Sequence, residues 1–210
     1  MNSIFTDFDS AVKATARQMK LCKPSKICLT GGKFGRHFLK ELDVINYSPT
    51  LEDFYITDER LCDDKEQQNA VSILTGLKRL KNFEPSRFVP FLQAEDPILT
   101  YKIIDEKLCK YNFDYAVLSL GEDGHLAGHF ENSNLLNDNR FCFTSEALKK
   151  PKTRISFSID FLKKSKKIVL AIYGEKKKQA ITKLLNGNGL HSSILKNKNL
   201  TIYTDLTHIL

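Results

Sequence analysis

Apolar residues along this chain fall into two alternating rhythms. Short unbroken apolar runs mark strands buried on both faces. Between them lie stretches where apolar positions return every three or four residues, the mark of an amphipathic helix. Strands are expected at Lys26–Thr30, Phe54–Thr57, Arg87–Phe91, Tyr115–Leu120, Arg154–Ser158, Ile168–Tyr173 and Leu200–Tyr203. Helices are expected at Phe8–Leu21, Phe34–Leu42, Gln67–Leu80, Pro97–Tyr111 and Lys176–Leu185. Asp96 is a suitable N-cap for the fourth helix, with Pro97 at its first position. Strand alternating with helix predicts an α/β fold: a mainly parallel Rossmann-like sheet with helices on both faces, three layers deep. No repeat or long linker divides the pattern, so one domain over residues 1–210 is expected.

Composition narrows the class. The chain is 41% apolar and 27% charged, as in globular proteins that bury a full core. No apolar run approaches the ~18 residues of a membrane span, and Met1–Asp7 lacks the basic-then-apolar order of a secretory signal. A cytoplasmic address, with no membrane partner, is the expectation. The net charge of +7 suits either a nucleic acid or a small anion. The lysines crowd towards the C-terminal part without interleaved aromatics, which favours a solvated surface over a nucleic-acid face. Five cysteines, at 22, 28, 62, 109 and 142, include no Cys-x-x-Cys, so neither a zinc knuckle nor a redox dithiol is indicated.

Candidate chemistry sits where strands end, because ligands of open α/β sheets bind beyond the strands' carboxyl ends. Gly31-Gly32 lies between a strand and a helix. It reads as an anion cradle at a helix N-terminus or as a tight turn. Asp58-Glu59-Arg60 offers a carboxylate for a polyol and a guanidinium for a phosphate, or forms a salt-bridged loop. Gly121-Glu122-Asp123-Gly124-His125 is the most informative stretch. Its glycines suggest a backbone bent to present Asp123 and His125. An imidazole, with an unperturbed pKa of about 6.5, is suited to general-base work. The alternative is a helix capped by Asp123, in which His125 and His129 would share a face. A metal there lacks a third ligand, and His-Leu-Ala-Gly-His lacks the glutamate of His-Glu-x-x-His. Arg154 and Lys177 also place cations at strand ends, and a lysine opening a helix runs against the dipole unless an anion is bound.

Taken together and in order, these residues resemble the 6-phosphogluconolactonase family, within a wider sugar-phosphate group that includes glucosamine-6-phosphate deaminases. Thr30-Gly31-Gly32 is similar to the family's Ser-Gly-Gly loop, Phe54–Arg60 to its strand ending in Asp-Glu-Arg, and Phe113–Phe130 to its Asp-Gly-His segment. Lys150–Ser156 resembles its Pro-x-Arg-Ile-Thr stretch, Gly174–Lys177 its Gly-x-x-Lys, and Leu200–Asp205 its closing strand. The resemblance implies hydrolysis of 6-phospho-D-glucono-1,5-lactone to 6-phosphogluconate, a step of the oxidative pentose phosphate pathway. It implies His125 as general base with Asp123 in its loop, and phosphate held by Arg60 and Lys177. Gly31, Gly32, Asp58, Gly124 and Arg154 complete the substrate site. No metal and no cofactor are implied, and the expected partner is a small phosphorylated sugar lactone taken by a monomer or weak homodimer.

The chain departs from the family pattern at Lys33, where a small polar residue is usual, and at Gly128, His129 and Glu131. Leu61–Asp64 also lacks the common Val-Pro. The deaminase branch carries Asp-Glu-Tyr and a carboxylate five residues after the histidine. Arg60 and Phe130 occupy those positions and favour the lactonase. A non-catalytic sugar-phosphate sensor and a basic nucleic-acid binder are the remaining alternatives.

Overall fold

The computed structural model describes residues 2–91, 102, 104–106, 112–136, 139–144 and 146–206. Strands β1 (Asn2–Phe5), β2 (Lys26–Leu29), β3 (Asp53–Ile56), β5 (Phe88–Val89), β6 (Tyr115–Ser119), β10 (Lys167–Ile172) and β11 (Leu200–Thr204) form the central sheet. Their order is β1-β11-β10-β6-β2-β3-β5, and every neighbouring pair is parallel. The middle strands are apolar throughout because both faces are covered: Tyr115–Leu118 and Ile168–Ile172 are fully buried.

Helices α1 (Phe8–Cys22), α2 (Lys33–Val44) and α3 (Asn69–Leu77) pack side by side. The right-handed rule for parallel crossovers sets them on one face, and sets α4 (Lys178–Leu185), which links β10 to β11 in the opposite direction, on the other. The α/β expectation of helices flanking a parallel sheet holds. Helix α1 starts where Asp7 accepts a hydrogen bond from the Ser10 N–H at 2.8 Å, and ends where Lys23 turns left-handed at φ 45°. It buries Ala11, Val12, Ala16 and Met19 at helical spacing. The helix expected over Pro97–Tyr111 with its Asp96 cap lies outside the described residues, apart from residues 102 and 104–106, which are helical. No helix among the described residues is long and apolar enough to cross a membrane.

The central sheet does not hold every strand. Residues Arg154–Ser158, expected in the parallel sheet, supply β9 (Arg154–Phe157) of a second, antiparallel sheet. Its other members are β4 (Asp58–Arg60), β8 (Phe141–Thr144) and β7 (Asn134–Leu136), in the order β4-β9-β8-β7. Asp58–Arg60 is therefore a short strand, and the alternative of a salt-bridged loop does not hold. Immediately after β3 the chain turns at Thr57, whose carbonyl accepts from the Phe157 N–H and from Ser156 Oγ, each at 3.0 Å. That pair of bonds joins the two sheets. An aromatic seam continues the junction: Phe113 meets Phe157 at 5.0 Å and Tyr55 at 5.3 Å between ring centroids.

Behind the site loops, His191 is 2% exposed and donates through Nε2 to the His129 carbonyl at 2.7 Å, with the two rings 4.7 Å apart. Burial, reinforced by the charge His129 would carry, lowers the His191 pKa to about 4. The unfolded side chain titrates near 6.5, so below that pH the unfolded state binds a proton the folded state refuses. Stability present above about pH 6.5 should therefore fall as pH drops towards 4, by on the order of 2–3 kcal/mol from this group. Urea unfolding at pH 7 and pH 4.5 should show that drop shrinking in His191→Gln. An identical pH dependence in wild type and variant would dismiss this assignment.

Candidate active site

Chain order runs through β2, β3 and β5 to one side of the central sheet and through β6, β10 and β11 to the other. Such a reversal opens a crevice at the strands' carboxyl ends, between the loops after β2 and β6. A cleft of about 440 Å³ lies there. Gly31, Gly32, Asp58, Arg60, His125 and Lys177 all line it, so four separate sequence segments meet in one place.

The loop after β2 brings the amino end of α2 to the cleft. Gly31 permits a close approach: a Cβ there would fall 2.3 Å from Asn69 Oδ1. Gly32 caps α2 without a side-chain bond, and no acidic residue occupies the first turn. The cap therefore leaves N–H groups available to an anion.

In β4, alternate side chains face opposite ways. Glu59 turns to α3, and its carboxylate accepts from the N–H groups of Arg60, Asn69 and Ala70 at 2.6, 2.7 and 2.8 Å. Burial nevertheless pushes Glu59 up to about 7. Asp58 and Arg60 turn to the cleft side. Asp58 accepts from Thr57 Oγ1 at 2.7 Å and Asn69 Nδ2 at 3.1 Å, which fixes the carboxylate. Arg60 donates to the Gln67 carbonyl at 3.2 Å.

Arg154 is the cross-strand partner of Arg60 and is 6% exposed. It does not line the cleft. One nitrogen donates to the Lys149 carbonyl at 3.3 Å, while Nη1 is buried with no partner among the described residues. Burial lowers the Arg154 pKa. Asp58 opposes that shift and Arg60 adds to it. Paired like charges across a ladder are unfavourable, and an anion at this edge would relieve them.

Lys177 ends a short 3-10 turn and caps α4. Its Nζ donates to Ser119 Oγ at 3.3 Å, and burial pulls its pKa down. Asp205 steadies the preceding turn by accepting from the Gly174 N–H at 3.0 Å, where Gly174 holds φ 96°.

Residues 121–130 form tight turns, with no helix. The alternative of a helix capped by Asp123 fails, and with it the shared helical face of His125 and His129. Gly124 at φ 88° and Ala127 at φ 53° turn the chain, and His129 packs away on His191. Among the described residues no group of three or more metal-ligating side chains gathers. His125 folds back over Gly121, where a Cβ would lie 2.2 Å from Nδ1. Its Nδ1 hydrogen-bonds Asp123, and its ring stacks on Phe130 at 4.6 Å. That bond is the largest of the effects that lower Asp123 to about 2. An ionised carboxylate only accepts, so Nδ1 carries a proton, and in the neutral imidazole Nε2 then presents the lone pair. Asp123 and Gly124 line an adjoining cavity of about 470 Å³, with His125 in the wall shared by both.

Sequence reasoning passed over Asn69, Ser119, Phe8 and Tyr173, which also line the cleft. Ser119 had a signal: it is a hydroxyl breaking the apolar run of β6 at its carboxyl end. The others reach the site only through packing.

The chain belongs to the Glucosamine-6-phosphate isomerases/6-phosphogluconolactonase family, whose model matches residues 4–202. It is 26% identical over 176 residues to a 6-phosphogluconolactonase of Helicobacter pylori, covering 79% of this chain and 74% of that one. It is 28% identical over 222 aligned positions to a glucosamine-6-phosphate deaminase of Lactococcus lactis subsp. cremoris, covering 84% and 92%. The fold is similar to the crystal structure of the Thermotoga maritima 6-phosphogluconolactonase, with a TM-score of 0.76, 22% identity and 96% of each chain covered. The family thus holds both lactonases and deaminases of sugar phosphates.

Gly121 offers a test of how the histidine is held. Gly121→Ala should fold and melt nearly as wild type yet displace the imidazole, cutting turnover of the phosphosugar substrate about 10²-fold, as an ångström of misplacement does. Unchanged kcat in a variant of normal melting temperature would show that the position of His125 does not depend on this glycine.

Proposed function

We propose that this protein hydrolyses 6-phospho-D-glucono-1,5-lactone to 6-phosphogluconate with His125 as general base and without a metal or cofactor. The observation that carries the reading is the imidazole itself. Asp123 holds Nδ1, so the free Nε2 belongs to a cleft whose other walls bear Arg60 and Lys177. Water attacks the lactone carbonyl while Nε2 takes its proton. The tetrahedral intermediate then expels the ring oxygen, which takes a proton back from the imidazolium. Asp123 keeps the tautomer and stabilises the charge that forms on the ring. Arg60 and Lys177 anchor the phosphate, so binding energy remote from the carbonyl positions it for attack. Asp58, fixed by Thr57 and Asn69, is placed to accept from a sugar hydroxyl.

The deaminase reading has less support. That branch places a carboxylate five residues after the histidine, and here the Phe130 ring fills the position and stacks on His125.

Three measurements test the proposal. His125→Ala should retain the fold and lose about 10²–10⁴-fold in kcat, the worth of a positioned base. Near wild-type turnover would remove His125 from the mechanism. Arg60→Ala and Lys177→Ala should each lower kcat/KM for the phospholactone by about 10- to 200-fold while sparing unphosphorylated gluconolactone. Equal losses on both lactones would end the phosphate-anchor assignment. Dialysis against a strong chelator should leave hydrolysis unchanged, and activity lost to it and restored by zinc would contradict the metal-free mechanism.

A further inference from the structure

Lys33 is the first residue of α2 and lines the cleft. A cation there is unfavourable against the helix dipole. Nothing nearby compensates it: the first turn of α2 has no acidic residue, and Lys33 makes no ion pair among the described residues. Its ammonium instead rests over the ring of Phe8, 4.9 Å from the centroid. That platform is packed on three sides. Phe8 makes edge-to-face contacts with Phe34, His37 and Tyr173 at 5.6, 5.1 and 5.3 Å. Phe8, Phe34 and Tyr173 line the cleft too, so the lysine is parked at its mouth on an aromatic surface. A cation–π contact at an exposed site is weaker than a charge-assisted bond to an anion. An entering anion therefore outbids Phe8 for the ammonium.

We propose that Lys33 is a specificity-determining residue of the cleft, whose ammonium leaves the face of Phe8 to pair with the phosphate of the bound substrate. The inference rests on the phospholactone reading and adds a third cation to Arg60 and Lys177. The third differs in kind: Lys177 is held inside the cleft, whereas Lys33 is exposed and moves onto the ligand.

The test is steady-state kinetics on both lactones, with inhibition by 6-phosphogluconate and by inorganic phosphate as further probes. Lys33→Met should raise KM for the phospholactone, and the inhibition constants of both anions, by about 5- to 20-fold, the effect of one partly exposed charge-assisted bond. Its kcat should stay within about twofold, and unphosphorylated gluconolactone should be unaffected, as for any purely binding contact. Lys33→Arg should restore most of the loss. Lys40→Met, the same charge change on the same helix away from the cleft, should change nothing. KM unchanged in Lys33→Met, or an equal rise in Lys40→Met, would overturn the inference. Selective losses in Arg60→Ala and Lys177→Ala without one in Lys33→Met would refute the role of Lys33 alone. No selectivity in any of the three would refute the phosphate reading beneath it.

Discussion

One buried carboxylate holds the Arg60 side of the cleft together. Glu59 gathers the N–H groups of Arg60, Asn69 and Ala70, and so fastens the amino end of α3 to β4. Helix α3 has no side-chain cap of its own, since Gln68 supplies none. Each of those N–H groups, left without a partner in the interior, would cost about 1–3 kcal/mol. The strand's alternation then does the rest. With Glu59 turned to the helix, Asp58 and Arg60 must face the cleft. Asn69, placed by the same carboxylate, closes the arrangement by donating to Asp58 and packing on Gly31.

A second constraint acts on charge. Cations converge on the carboxyl edge of the sheet: Lys33, Arg60 and Lys177 line the cleft and Arg154 lies beside Arg60 across the ladder. Burial pulls both Lys177 and Arg154 down from their ordinary values, and Arg154 Nη1 has no partner among the described residues. An edge built this way is complementary to a dianion more than to a neutral sugar. On the other wall, Asp123 and Phe130 fix one imidazole by a hydrogen bond and a stack. Arg60 on β4 and Lys177 after β10 thus stand on elements separate from the loop that carries His125.

The parallel sheet and its site loops were legible because each loop follows an apolar run directly. Gly31-Gly32, Gly121–His125 and Gly174–Lys177 all stand where such a run stops. The second sheet was not legible. Its strands are three or four residues long, and β4 meets its partner nearly a hundred positions away, so no local pattern announces it. For the same reason Arg154 read as a strand-end cation, whereas the ladder sets it beside Arg60. The 121–130 segment misled in the opposite way. His125 and His129 have helical spacing, but Gly124 and Ala127 take left-handed conformations that no helix tolerates. Phe8 and Tyr173 carry no chemical signal of their own and join the site only by packing.

The most direct measurement presents wild-type protein with the phospholactone and with glucosamine 6-phosphate side by side. Glucose-6-phosphate dehydrogenase can generate the phospholactone in place, and its decay can be followed with and without the protein. Ammonia release from glucosamine 6-phosphate can be followed in parallel. A phosphate-anchored imidazole backed by Phe130 predicts rapid loss of the lactone and no ammonia. Ammonia release with no acceleration of lactone decay would contradict it and would return the protein to the deaminase branch.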